Sequence, residues 1–175
     1  MAILDWLYSI IDFFGLRNKQ AKILILGLNK AGKSTLLTQL AIQSNSKFAL
    51  PFLPISGELV VKSLRFVEVA ATVQLQSEEL YDAAGIIFVV DTTDYKRFGK
   101  VQDQLNFLLA AKGVEKIPIA VLGNKIDRLE AVSEEELRCE LDLEHIHGRP
   151  ISLHMCCLSL GQGYADAFRF LAAHF

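Results

Sequence analysis

Two tracts carry residue types at spacings that can do chemistry: Gly27-Leu-Asn-Lys-Ala-Gly32-Lys33-Ser34 and Asn124-Lys125-Ile-Asp127. In the first, two glycines bracket four residues and are followed by a lysine and a hydroxyl. That is the spacing of a loop whose backbone N–H groups converge on phosphate. The expected donors are the N–H groups of Asn29, Lys30, Ala31, Gly32, Lys33, Ser34 and Thr35. Lys33 is expected to reach the β- and γ-phosphates, and the Ser34 hydroxyl to ligate Mg2+. The second tract selects a base. Asp127 can accept from both the ring N–H and the exocyclic amine of guanine, a donor pair that adenine does not offer. Lys125 can lay its stem over the base, and Asn124 can tie this loop to the phosphate loop. A third tract, Met155-Cys156-Cys157-Leu158, brings backbone N–H groups of Cys157 and Leu158 towards the guanine oxygen. The expected cofactors are therefore GTP or GDP with Mg2+.

These residues need a scaffold that delivers them to one edge. The β-branched apolar run from Lys22 to Leu26 predicts a strand leading into Gly27, and Leu36, Leu37 and Leu40 predict the helix that follows the loop. Ile117 to Leu122 reads as a second buried strand, with Asn124 at its carboxyl end, where ligands bind in open α/β sheets. Leu64 to Val69 and Gly85 to Asp91 read as further strands. Ser133 and Glu136 form a capping box ahead of Leu137 and Leu141. Loops are short except between Ser44 and Ser56 and between Leu141 and Pro150.

With 175 residues, 51% of them hydrophobic, the chain suits one domain with a single core. The net charge of -2 gives no electrostatic reason to expect nucleic acid as a partner. Cys139, Cys156 and Cys157 make an odd set without Cys-x-x-Cys spacing, which suits buried structural thiols in a reducing compartment. The pairs His145/His147 and Asp91/Asp94 read as solvated loop residues.

Residues 1–18 read as a separate amphipathic helix ahead of a nucleotide-binding domain over residues 19–175. Ile3, Leu4, Leu7, Ile10, Ile11 and Phe14 share one face, with Asp5, Ser9 and Asp12 opposite. The segment is too short to span a bilayer, lacks the basic start of a signal peptide, and has no glycine after Met1 for myristoylation. Two placements stay open for it: a membrane surface, favoured by Trp6, Tyr8, Phe13 and Phe14, or the domain's own surface.

The tracts "GLNKAGKSTLL", "GIIFVVDTTDYKRF", "IPIAVLGNKIDRLEAVSEEELRCEL" and "HMCCLSLGQGYADAFRFLAAHF", with the start "DWLYSI", resemble the Sar branch of the Sar/Arf family of small GTPases. The resemblance covers nearly the whole chain. It implies a P-loop α/β fold with a mostly parallel six-stranded sheet flanked by helices. It also implies an N-terminal helix that enters the endoplasmic reticulum membrane, inner-coat subunits of coat protein complex II and a nucleotide-exchange factor as partners, and work on cytoplasmic endoplasmic reticulum and Golgi surfaces or in the cytosol.

Two regions depart from that family, and both face the γ-phosphate. After Pro54 the family has threonine, its hydroxyl on magnesium; here Ile55 stands, and a hydrocarbon cannot ligate a hard cation. The family's Asp-x-Gly-Gly-His is expected over Ala70-Ala71-Thr72-Val73-Gln74, where none of its residue types occurs. Gln74 is the candidate catalytic residue, at the place where a water is positioned. Glu68 shares a strand face with Ala70 but lies about 6–7 Å back along the strand, which reads as too far to replace the acid without a register slip. Asp91 ends its strand and could approach magnesium, but the family already has Asp there, so it is no new compensation. The expectation is a guanine-nucleotide-binding protein of vesicle traffic with weak switching and hydrolysis. The alternative is a constitutively loaded scaffold subunit; a nucleotide kinase is disfavoured because Asn124-Lys125-x-Asp127 has no role there.

Overall fold

The computed structural model describes residues 21–43, 57–61, 63–69, 80 and 82–174. The expectations for the helix over residues 1–18, for Ile55, and for the tract Ala70 to Gln74 lie outside the described residues.

The chain alternates strand and helix: β1 (Ala21–Leu26), α1 (Lys33–Gln43), β2 (Glu58–Val61), β3 (Leu64–Glu68), β4 (Ala83–Asp91), α2 (Phe98–Ala110), β5 (Ile119–Asn124), α3 (Glu134–Glu140), β6 (Ile151–Cys156) and α4 (Ala165–Ala172). The strands form one six-stranded sheet in the order β2-β3-β1-β4-β5-β6. Every pair is parallel except β2 with β3. The mostly parallel sheet expected of a P-loop α/β fold is thus present.

Alternation along the central strands divides the core. Ile23 and Ile25 point to the face covered by α1 and α4, where they join Leu36, Leu40, Phe66 and Phe168. Leu24 and Leu26 point to the other face, with Phe88, Val101, Leu105 and Leu137. Because both faces are buried, β1, β4 and β5 read in sequence as continuous apolar runs with no polar side to mark their pleat. On the first face, Phe66 and Tyr164 each meet Phe168 edge-on at about right angles, the arrangement that aromatic quadrupoles favour.

The start of α3 follows the predicted capping box. The Ser133 backbone N–H donates to Glu136 Oε2 at 2.7 Å, and the Glu136 N–H donates to Ser133 Oγ at 3.2 Å. These bonds satisfy donors that a helix start otherwise leaves without partners. Among the described residues no helix is long and apolar enough to cross a membrane.

Three register pairs position the site. Ile25 lies opposite Glu68, Asp91 opposite Asn124, and Asn124 opposite Cys156. The carboxyl ends of β1, β3, β4, β5 and β6 therefore reach the same edge of the sheet.

Candidate functional site

Leaving β1, the chain turns sharply through Gly27 (φ 135°) and Gly32 (φ 116°), conformations open to glycine. Space excludes other residues as well: a Cβ at Gly27 would run into the Val89 carbonyl, and one at Gly32 into the Asn124 side-chain amide. The loop is thereby pressed onto the ends of β4 and β5. Within it the Ala31 N–H closes a turn onto the Leu28 carbonyl at 3.2 Å. The backbone N–H groups of Asn29, Lys30, Gly32, Lys33, Ser34 and Thr35 meet no acceptor among the described residues. A concavity of unspent N–H donors at a helix start is an anion site.

Lys33 is 5% exposed. Its Nζ lies 3.1 Å from the Gly27 carbonyl and 3.3 Å from that of Leu28, so its head bends back over the entry of the loop. Burial pushes its pKa down, and the charge of Glu68 opposes that shift. Ser34 Oγ donates to Glu68 Oε2 at 2.8 Å, and Glu68 Oε1 lies 3.8 Å from Lys33 Nζ.

The Glu68 contact corrects the sequence reading, which placed this acid too far back. Spacing along β3 was the wrong measure. β3 lies beside β1 with Glu68 opposite Ile25, and the Val69 N–H donates to the Ile25 carbonyl at 3.0 Å, so β3 is locked alongside the strand that enters the phosphate loop. From there a glutamate side chain reaches the hydroxyl.

Asp91 is held by the residues around the base loop. Its Oδ2 accepts from Lys125 Nζ at 2.5 Å, and its Oδ1 accepts from the Thr93 N–H and hydroxyl at 3.0 and 2.7 Å. Burial raises its pKa, but the bonds from Lys125 and Thr93 outweigh burial and leave the carboxyl below its ordinary value. The reason is register: opposite Asn124, Asp91 meets the residue that follows it. Lys125 itself adopts a left-handed backbone (φ 75°), and its ammonium is anchored on Asp91.

Asn124 joins the two loops. Its side chain is buried, with Nδ2 donating to the Ala31 carbonyl at 2.8 Å and Oδ1 accepting from the Leu158 N–H at 3.0 Å. One amide thereby fixes the phosphate loop, the base loop and the segment after β6 relative to one another. The expected use of the Cys157 and Leu158 N–H groups on a guanine oxygen is revised accordingly. Leu158 donates to Asn124, and Cys157 N–H donates to the Gln162 carbonyl at 3.0 Å. What this segment sends to the base loop is a thiol: Cys157 Sγ lies 3.1 Å from Asp127 Oδ1, and that bond leads in lowering the Asp127 pKa. Burial pushes the neighbouring Cys156 thiol up to about 12, as a structural thiol requires. Sequence reading left out two contacts: this thiol bond and a bond from Arg97 to the Asn29 carbonyl at 3.1 Å. Neither has a motif, because each depends on which loops the sheet brings together.

The sequence model of the ADP-ribosylation factor family matches residues 7–175. The chain belongs to the Arf family. Among curated proteins, this Arf-family chain is 34% identical to "Small COPII coat GTPase SAR1" of Giardia intestinalis, covering 97% of each chain. It is 28% identical to the protein of the same name from Nicotiana tabacum, covering 99% of each chain. It is also 28% identical to "ADP-ribosylation factor-like protein 6" of Caenorhabditis elegans, over 94% of this chain and 92% of that one. GTPases of the Arf family bind GTP or GDP with Mg2+.

The residues of this Arf-family chain fit both groups. Unspent N–H donors and the Lys33 ammonium suit phosphate oxygens. The Ser34 hydroxyl and the Glu68 carboxylate are the oxygen donors that a hard cation takes. Among the described residues no cluster of three His, Cys, Asp or Glu forms a metal site by itself.

Proposed function

We propose that this chain is a Sar-like guanine-nucleotide-binding protein of vesicle coat assembly between endoplasmic reticulum and Golgi, with a weakened response to the γ-phosphate. The observation that carries the nucleotide reading is the Asn124 bridge, which holds the phosphate loop at 2.8 Å through Ala31 while Asp127 stands three residues on, ready for the guanine edge. In this reading Lys33 and the loop N–H groups hold the phosphates. Asp127 reads the base, Lys125 is held in place by Asp91, and the Cys157 thiol steadies Asp127.

Ser34 and Glu68 together face Mg2+. Because the hydroxyl proton goes to Glu68, the Ser34 lone pairs are left for the cation, and Glu68 acts as the acid behind the ligand. Bound there, Mg2+ neutralises phosphate charge. Counting onward from Glu68 in this register puts Ala70 and Ala71 in the family's glycine positions and Thr72 in its histidine position. Gln74 then stands two residues beyond and serves as a water-positioning residue only if that tract bends back.

Ile55 offers magnesium no side-chain oxygen, Ala71 keeps a backbone N–H but not the conformational freedom with which a glycine aims it, and Thr72 stands for the histidine expected near the γ-phosphate. A switch needs γ-phosphate contacts to hold two loops in one conformation, and moving an equilibrium from 1:99 to 99:1 takes ~5.5 kcal/mol of differential binding. With these groups gone, GDP and GTP are bound alike and hydrolysis is slow. Ile55 equally favours a second reading, a scaffold subunit that keeps its nucleotide as a structural cofactor. The similarity to two proteins named as small COPII coat GTPases supports coat subunits as partners; an exchange factor and membrane contact through residues 1–18 complete the proposal. Nucleotide content of the purified protein, followed by release with and without an exchange factor, separates the readings. Exchange that responds to the factor supports the switch, whereas nucleotide that stays bound under every condition supports the scaffold.

A further inference from the structure

We infer that Arg97 is a positioning residue for phosphate binding, acting through the Asn29–Lys30 peptide; this rests on the nucleotide reading above. Arg97 closes the 3-10 turn Tyr95–Arg97 that leads from β4 into α2. Its Nη1 donates to the Asn29 carbonyl at 3.1 Å, across 68 residues of sequence. Its Nε is taken by Asp94, which fixes the plane of the guanidinium. Arg97 and Asp94 also line a small recess beneath the loop with Leu28, Ala31, Val90 and Val101. The bond therefore pulls the Asn29 carbonyl towards α2.

A trans peptide points its N–H opposite to its C=O, and among the described residues no peptide bond is cis. Holding the Asn29 carbonyl towards α2 consequently turns the Lys30 N–H away from it, into the hollow where the other loop donors stand unspent. The following backbone makes this orientation costly to keep without help. Lys30 has φ 70°, a left-handed conformation that a residue with a Cβ adopts only under constraint. With the carbonyl released, the peptide is free to flip, and a carbonyl would then face the phosphates where a donor had been. Arg97 thus acts on nucleotide by holding one peptide in the donating orientation.

The test compares GDP release from the full-length protein with that from Arg97→Ala and Arg97→Lys, using a fluorescent GDP analogue, together with 31P spectra of bound GDP. Arg97→Ala is expected to release GDP about tenfold faster, equivalent to ~1.4 kcal/mol, and to shift the 31P resonances. The preference for guanine over xanthine nucleotide should stay unchanged, since the base is read at the other loop. Arg97→Lys keeps a donor for the carbonyl and should restore release to within about threefold of the unmodified protein. If Arg97→Ala does not fold, Arg97→Gln replaces it, with release intermediate between those of the lysine variant and ~10-fold acceleration. Release unchanged in the alanine variant overturns the inference, and so does a base preference lost in step with affinity, which would mark general damage to the site. Failure of the unmodified protein to bind GDP overturns the nucleotide reading and this inference together. Unmodified binding with an Arg97→Ala variant that behaves identically overturns the inference alone.

Discussion

Ser34 gives its hydroxyl proton to Glu68 at 2.8 Å, so the residue expected to ligate magnesium already carries an acid behind it. That acid arrives from β3 because Glu68 lies opposite Ile25, beside the entrance of the phosphate loop. Glu68→Ala should therefore raise the Mg2+ concentration needed for tight GDP binding by about tenfold, the lower end of what losing a hydrogen-bond partner of a metal ligand costs. Glu68→Gln, which keeps an acceptor for the hydroxyl, should raise it less. Magnesium titration of GDP affinity checks this, and identical midpoints for Glu68→Ala and the unmodified protein would leave Glu68 without a role at the metal.

The two loops divide the recognition of base and phosphate. Asp127→Asn should weaken GDP by on the order of 100-fold and shift preference towards xanthosine diphosphate, since an amide cannot accept from both guanine donors as a carboxylate can. Lys33→Ala should weaken guanine and xanthine nucleotides alike. Competition titrations with both diphosphates read the difference directly, and an Asp127→Asn variant that keeps its guanine preference would place base reading elsewhere.

Asp91 supplies a pH dependence. Its carboxyl is held below its ordinary value by Lys125 and Thr93 despite burial. A group with a depressed folded pKa contributes its stability in full above the unfolded value of about 3.9 and loses it as pH falls through the folded value. The melting temperature of Asp91→Asn should lie below that of the unmodified protein by a few degrees at pH 5 to 7, for a loss of ~1–2 kcal/mol. The gap should narrow below about pH 4. A gap that instead widens on acidification would contradict the ion pair as its source.

The phosphate loop, the order of strands and helices, and the cap at Ser133 were legible in sequence because each is written in local spacing. Gly27 to Ser34 is contiguous, and the apolar runs of β1, β4 and β5 need only their neighbours in sequence to be recognised. The role of Glu68 was not legible for the opposite reason. Its distance from Ser34 depends on the register between β1 and β3, and neither strand's own sequence states which residues of the other it will lie beside. The partner of Asp91 was not legible for the same reason: it is chosen by the β4–β5 pairing, which presents Lys125. Cys157 and Leu158 lie in a tract that the structure brings beside Asn124 and Asp127, where the Leu158 N–H donates to Asn124 and the Cys157 N–H to Gln162, next to the 3-10 turn Leu158–Leu160 that follows β6.

The amphipathic start yields a prediction independent of the nucleotide site. At the helical spacing that the sequence predicts for residues 1–18, Leu7, Ile10 and Phe14 would share an apolar face, opposite Asp5 and Asp12 and without basic residues. Replacing those three apolar residues with polar ones should abolish flotation with liposomes, while salt should change flotation little because apolar insertion and not charge drives it. If the helix packs on the domain instead, the intact protein will not float and the same substitutions will lower its melting temperature.

Paired isothermal titrations with GDP and GTP in the presence of Mg2+ test the central claim most directly. The Asn124 bridge and Asp127 predict that both bind well. Ile55, Ala71 and Thr72 predict that their affinities differ by less than about tenfold, under ~1.4 kcal/mol. A preference of a hundredfold or more for either nucleotide would contradict the weakened switch, and failure of both to bind would contradict the site itself.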